Sequence, residues 1–193
     1  MSNLYVTGDL GRAAAVASLV APAGIAVQLR APSDAAVDAL ARTLRARTAE
    51  GGARLVLNRR VELARRIGAD GVHVDVVDVA RVRRGWSDGW ISAPCHDDED
   101  VRRAVDAGAS AVLVSPIFPT PGEGKGPPRG LEAVRAAAAI AGPFRVEVLA
   151  LGGISLENAP SCFAHGASGI AAIRLFEGAP DAAVVARALA KML

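Results

Sequence analysis

The chain has 193 residues, 51% of them apolar, with 22 Lys and Arg against 20 Asp and Glu, a formal net charge of +2 and two cysteines. That length and apolar content suit one domain, residues 1–193, around one core, and a charge this small, carried by basic residues scattered through helical stretches, argues against nucleic acid. No apolar segment reaches the ~18 residues of a membrane span, Met1-Ser2-Asn3 leads into a strand without a secretory signal, and Cys95 and Cys162 have no disulfide or metal-ligand spacing; the sequence therefore predicts a cytoplasmic protein with reduced thiols, and leaves homo-oligomerisation open.

Taken in chain order, strand-like runs are predicted at residues 4–8, 25–30, 54–58, 71–75, 90–94, 111–118, 147–154 and 169–176. Between them lie stretches such as 33–50, 61–67 and 97–107, rich in Ala, Leu, Arg and Glu with apolar residues at helical spacing. Ser33 or Asp34 is placed to cap the first of these, and Asp97 the last, with Asp100 three residues on. Continuous apolar runs such as Val112-Leu113-Val114 belong to parallel strands buried on both faces, and β-α alternation requires such strands. Eight units predict a single-domain α/β (β/α)8 TIM barrel; a doubly wound open sheet is the alternative, without a reason for glycine-rich turns after the last two strands. The phrase Gly-Ala-(Asp/Ser) stands before three strands, at Gly68, Gly108 and Gly166, where glycine is expected to end a helix in the left-handed region.

A barrel's active site lies at the C-terminal ends of its strands. The candidates there are Thr7, Gln28, Arg30, Asn58, Asp75, Asp78, His96, Thr120, Lys125, Gly152, Gly153, Ile173 and Arg174. Ala150-Leu151-Gly152-Gly153-Ile154 and the 169–174 turn close the seventh and eighth units as glycine-bearing strand ends, which suit a phosphate because glycine lets the backbone approach closely. The loop from Pro119 to Gly130 is long and rich in Gly and Pro and is expected to act as a substrate lid, with Thr120 and Lys125 facing the substrate. His96 is the candidate acid/base, since imidazole can both accept and donate a proton near neutrality. His73 and His165 are expected to be structural. Cys95 and His96 alternate along a strand and point apart, so a Cys-His nucleophile is not expected. Trp86 and Trp90 are expected to cover the fifth strand.

Several ordered motifs together carry a family resemblance: Val27-Gln28-Leu29-Arg30, Leu57-Asn58 before Val61-Glu62-Leu63-Ala64, Gly68-Ala69-Asp70-Gly71-Val72-His73-Val74, Ser115-Pro116-Ile117-Phe118-Pro119-Thr120, and Ala150-Leu151-Gly152-Gly153-Ile154. Over nearly its whole length the chain resembles the thiamine-phosphate synthase superfamily. That resemblance implies a (β/α)8 barrel and one of two activities. Synthases join a pyrimidine diphosphate to a thiazole phosphate with Mg²⁺; TenI-type tautomerases aromatise a thiazole carboxylate phosphate without metal.

Departures from the synthase pattern favour the second branch. Synthases follow Gln-x-Arg with an acidic residue and Lys, where this chain has Ala31 and Pro32; they carry Asn-Asp where it has Asn58-Arg59; their Gln-x-Asp is reduced to Val76-Val77-Asp78, and Pro94 replaces a Ser. An arginine opposes a cation in a site that wants carboxylate oxygens. Asn58-Arg59-Arg60-Val61 also resembles the tautomerase branch, and Arg174 stands where synthases have Ser. The expected function is thus a thiazole tautomerase of thiamine biosynthesis, with His96 catalytic and no cofactor or metal, its substrate a small phosphorylated thiazole bound by Gln28, Arg30, Asn58, Thr120, Lys125, Gly152, Gly153, Ile173 and Arg174. The alternatives are a synthase, which would need Mg²⁺ with Asp78 as the one weak ligand candidate, and a degenerate non-catalytic binder of thiazole or thiamine phosphates.

Overall fold

The computed structural model describes residues 3–7, 25–30, 37–120, 126–179 and 182–192. Eight strands, β1 (Asn3–Thr7), β2 (Ile25–Leu29), β3 (Arg54–Asn58), β4 (Gly71–His73), β5 (Trp90–Cys95), β6 (Ala111–Val114), β7 (Glu147–Leu151) and β8 (Gly169–Ala172), make an α/β fold. Each strand pairs in parallel with the next in chain order, and the circuit closes where β8 pairs with β1 through Ala171↔Leu4 and Ala172↔Tyr5. Helices α1 (Val37–Gly51), α2 (Val61–Ile67), α3 (Val79–Gly85), α4 (Asp98–Asp106), α5 (Gly130–Ala141), α6 (Ala159–Ala164), α7 (Arg174–Glu177) and α8 (Ala182–Ala190) follow their strands. The connection from β1 to β2 lies outside the described residues, as do Ala31, Pro32 and the caps expected at Ser33 and Asp34.

Alternation along each strand divides the core in two. Val27, Leu55, Leu57, Val72, Ile91, Val112, Val114 and Ile170 pack with the helices. Ala26, Val56, Ala111, Leu113, Leu149 and Ala171 form a second buried cluster, against which Trp90, Leu151 and Ile173 pack. These residues alternate with the first set, so they fill the inside of the strand circuit. Trp90 therefore plugs the interior instead of covering β5, with Nε1 donating to Glu147 across the sheet at 3.3 Å.

The Gly-Ala-(Asp/Ser) phrase is a repeated joint. Gly68, Gly108 and Gly166 have φ of 67°, 86° and 97°, left-handed values that a side chain resists. The next residue in each case, Ala69, Ala109 or Ala167, is buried, and its N–H returns to the preceding helix at Ala64, Ala104 or Cys162. The third residue holds the preceding strand twice. Its N–H donates to the carbonyl of Leu55, Ile91 or Val148, and its side-chain oxygen accepts the N–H of that same residue, at 2.7 Å for Asp70, 3.1 Å for Ser110 and 3.2 Å for Ser168. One short side-chain acceptor thus completes hydrogen bonds at the strand starts.

Three predicted strands run three or more residues too far. β6 stops at Val114 because Ser115 precedes Pro116, which has no N–H to give a ladder. β7 stops at Leu151 because Gly152 and Gly153 turn to φ of 101° and 65°. β8 ends at Ala172, and residues predicted as strand become α7, a single turn starting at Arg174.

Candidate functional site

The ends of β2 and β5 through β8 enclose a cavity of about 820 Å³. Arg30 lines it after β2, Gly152, Gly153, Ile173 and Arg174 after β7 and β8, and His96, Ser115, Thr120 and Arg129 from the segments that follow β5 and β6. The sequence-predicted candidates Arg30, His96, Thr120, Gly152, Gly153, Ile173 and Arg174 are thus gathered at one site. Gln28 is almost fully buried beneath Arg30 on β2, with Oε1 lacking a hydrogen-bond partner among the described residues. Asn58 ends β3 outside the cavity lining, and Lys125 lies outside the described residues, as does the middle of the expected lid. The flanks of that loop, Thr120 on one side and Gly126 and Pro127 on the other, do line the cavity.

The glycine wall is set by packing as well as by dihedrals. A Cβ on Gly152 would stand 2.9 Å from Cα of Pro116, and one on Gly153 would stand 2.6 Å from the carbonyl oxygen of Pro119. The loop after β6 therefore lies directly against the backbone after β7, tied by Ile117 N–H to Leu151 and Phe118 N–H to Gly152. Asn158 holds the turn from outside by donating to the Gly153 carbonyl at 2.9 Å.

His96 follows β5 and is exposed to the cavity. Its N–H donates to Asp100 at 2.9 Å, while Asp97 accepts the N–H of Asp100 at 2.7 Å and so caps α4 as the spacing predicted. Nδ1 lies 3.2 Å from the Ser115 carbonyl, an acceptor, which places the proton on Nδ1 and leaves Nε2 as the ring's acceptor. Cys95 is fully buried on the other face of β5, and burial pushes its thiol up to about 12, so no nucleophilic pair forms. His165 closes α6 with Nδ1 2.7 Å from the Ser161 carbonyl, a structural role as expected.

Arg129 is a cavity residue that the sequence reading missed. Its N–H donates to Pro116, its Nη2 pairs with Asp98 at 3.0 Å, and its buried Nη1 has no partner among the described residues. Only its place just before α5, in the stretch read as a lid, could have signalled it.

Beyond the Arg30 wall lies a second group of charges. His73 ends β4 with Nδ1 3.0 Å from Ser92 Oγ. Burial first, then the charges of Arg30 and Arg59, push its pKa down to about 4, against an opposing pull from Asp75, so its ring is neutral at pH 7. Arg59 donates its N–H to the His73 carbonyl at 2.8 Å and pairs through Nη2 with Asp75 Oδ1 at 2.8 Å. Asp78 pairs with Arg81 at 2.9 Å. Mg²⁺ demands near-octahedral oxygen coordination, and both carboxylates after β4 already hold an arginine, while no group of three His, Cys, Asp or Glu gathers anywhere among the described residues. The residues present do not fit Mg²⁺, and Asp78 falls as a ligand candidate.

No helix among the described residues is long and apolar enough to cross a membrane. Comparison with known proteins bears on the activity. A thiamine-phosphate synthase of Roseiflexus sp. (strain RS-1) is 40% identical over 169 residues, covering 84% of this chain and 70% of that protein. One from Moorella thermoacetica is 33% identical over 205 residues, covering 99% and 95%. In structure, the thiamine phosphate pyrophosphorylase from Pyrococcus furiosus superposes with a TM-score of 0.83 at 25% identity over 98% of this chain and 94% of its own.

These relatives overturn the expectation of a thiazole tautomerase, since they carry the synthase name over nearly the whole chain. The physical reason is that the departures weighed against a synthase are a handful of single positions, among them Arg59, Val76, Pro94 and Arg174, whereas the similarity to the synthases runs over nearly the whole chain. With residues 7–176 matching the profile described as thiamine monophosphate synthase, the chain belongs to the thiamine monophosphate synthase family.

Proposed function

We propose that the chain is a thiamine-phosphate synthase, one (β/α)8 barrel domain spanning residues 1–193, that joins a pyrimidine diphosphate to a thiazole phosphate. The observation that carries this reading is the single cavity that runs from Arg30 after β2 to Gly153 and Arg174 after β7 and β8. A cation at one end and a glycine-lined backbone turn with a second cation at the other suit two substrates that each bring phosphate. The thiazole phosphate takes the Gly152, Gly153, Ile173 and Arg174 end, and the diphosphate takes the Arg30 end. The thiazole ring nitrogen then meets the pyrimidine methylene carbon in mid-cavity, forming the N–C bond as the C–O bond to diphosphate breaks and its electron pair leaves with the diphosphate. His96 presents Nε2 to this space as a hydrogen-bond acceptor, with Ser115 holding the ring, and Arg129 adds a further cation from the α5 side.

Holding both partners in one pocket supplies the proximity that the coupling needs. The charge that develops on the leaving diphosphate is stabilised by fixed guanidinium groups. The test is growth: expression in a bacterium whose own synthase has been deleted restores growth without added thiamine, and Arg30→Ala weakens or abolishes the rescue. Well-folded protein in the cells without growth on minimal medium would contradict the reading.

A further inference from the structure

The carboxylates after β4, Asp75 and Asp78, hold Arg59 and Arg81, and Arg59, itself outside the cavity lining, stands next in register to the cavity residue Arg30. Arg30 directly follows β2, whose last residue, Leu29, pairs with Leu57 one position before Asn58. Arg59 follows Asn58, and its backbone is fixed to the end of β4 by the bond to the His73 carbonyl. The strand register therefore sets two guanidinium-bearing residues side by side above the ends of β2, β3 and β4. Arg59 also has φ of 61°, a left-handed value for a residue with a long side chain. Such a conformation is strained for a residue with a side chain, and it sets the direction in which the Arg59 side chain leaves the backbone. The salt bridge to Asp75 gives the side chain a fixed anchor from which its remaining donors extend.

The geometry points to Arg59 as the replacement for a divalent cation: with Arg30 it binds the diphosphate group directly, Asp75 positions it, and the coupling proceeds without metal. A guanidinium suits this task because it is always charged and presents a planar fork of donors that matches phosphate oxygens two at a time. The identity of the ligand rests on the synthase reading. The balance of the step is unchanged by the replacement: the C–O bond breaks with its electron pair going to the diphosphate, the N–C bond forms, and nothing is oxidised or reduced.

Inorganic diphosphate is the probe, titrated calorimetrically into the purified protein in buffer with excess chelator. Binding is expected without metal and is expected to weaken at least about tenfold in Arg59→Gly, the loss of one charge-assisted contact pair. Glycine adopts φ of 61° without strain, so that variant keeps the backbone; Arg59→Lys should recover part of the affinity. Diphosphate binding that appears only with Mg²⁺, or that is unchanged in Arg59→Gly, overturns the inference. Thiamine phosphate formation in chelator supports it. Formation only with Mg²⁺ overturns it while leaving the synthase reading intact, and metal-free diphosphate binding through Arg59 in a protein that makes no thiamine phosphate under any condition supports the anion site and removes the synthase reading.

Discussion

His73 makes the protein acid-sensitive in a calculable way. Its pKa falls from 6.5 to about 4 on folding, through burial and the charges of Arg30 and Arg59. Above pH 6.5 the ring is neutral in both folded and unfolded chains and contributes no pH dependence. Between pH 6.5 and about 4 the unfolded chain binds a proton that the folded one does not, so stability falls as pH falls. The full difference is worth about 3 kcal/mol, of which about 2 kcal/mol is lost by pH 5. Urea unfolding followed by circular dichroism at pH 7.5, 6.5, 5.5 and 5.0 measures this directly. The wild type should lose about 2 kcal/mol more over that interval than His73→Gln does. Removing either arginine should raise the His73 pKa and shrink the difference. Parallel stability curves for the wild type and His73→Gln would refute the reasoning, because they would mean that the ring protonates equally easily in both states.

Two other substitutions test the framework that positions the site. Ser110→Ala leaves both the Ile91 N–H and Arg83 Nη2 without their acceptor, whereas Ser168→Ala leaves only the Val148 N–H; thermal melts should show the first variant losing about 1–3 kcal/mol and the second less. Gly153→Ala forces a side chain into φ of 65° and against the Pro119 carbonyl, so it should destabilise by about 1–3 kcal/mol in urea titrations and weaken thiazole phosphate binding more than diphosphate binding.

Much of the fold was legible because its joints repeat. Gly-Ala-(Asp/Ser) marks helix end, buried contact and strand start in three residues, and Asp97 announces α4 by its capping chemistry. The ends of β6 and β8 were not legible, since apolar residues continue beyond them and only the turn geometry at Pro116 and Ile173 shows where pairing stops. At the site, position along a strand sufficed to name Arg30, His96 and Gly153, because the barrel brings successive strand ends to one face. Pairings across strands were hidden. Arg59 meets Asp75 from sixteen residues away and Arg129 meets Asp98 from thirty-one, contacts that register creates and sequence spacing does not announce. That is why Arg59 read as the loss of a metal ligand and steered the expectation towards a tautomerase, when in the folded chain it is a cation tethered to a carboxylate at the ends of β3 and β4.

The central claim is tested most directly by a single-turnover experiment in which excess purified protein is mixed with pyrimidine diphosphate and thiazole phosphate, quenched, and assayed for both products. The account predicts thiamine phosphate and inorganic diphosphate in equal amounts, at a rate lowered by Arg30→Ala. Recovery of both substrates unchanged from the folded protein, with and without Mg²⁺, would contradict it.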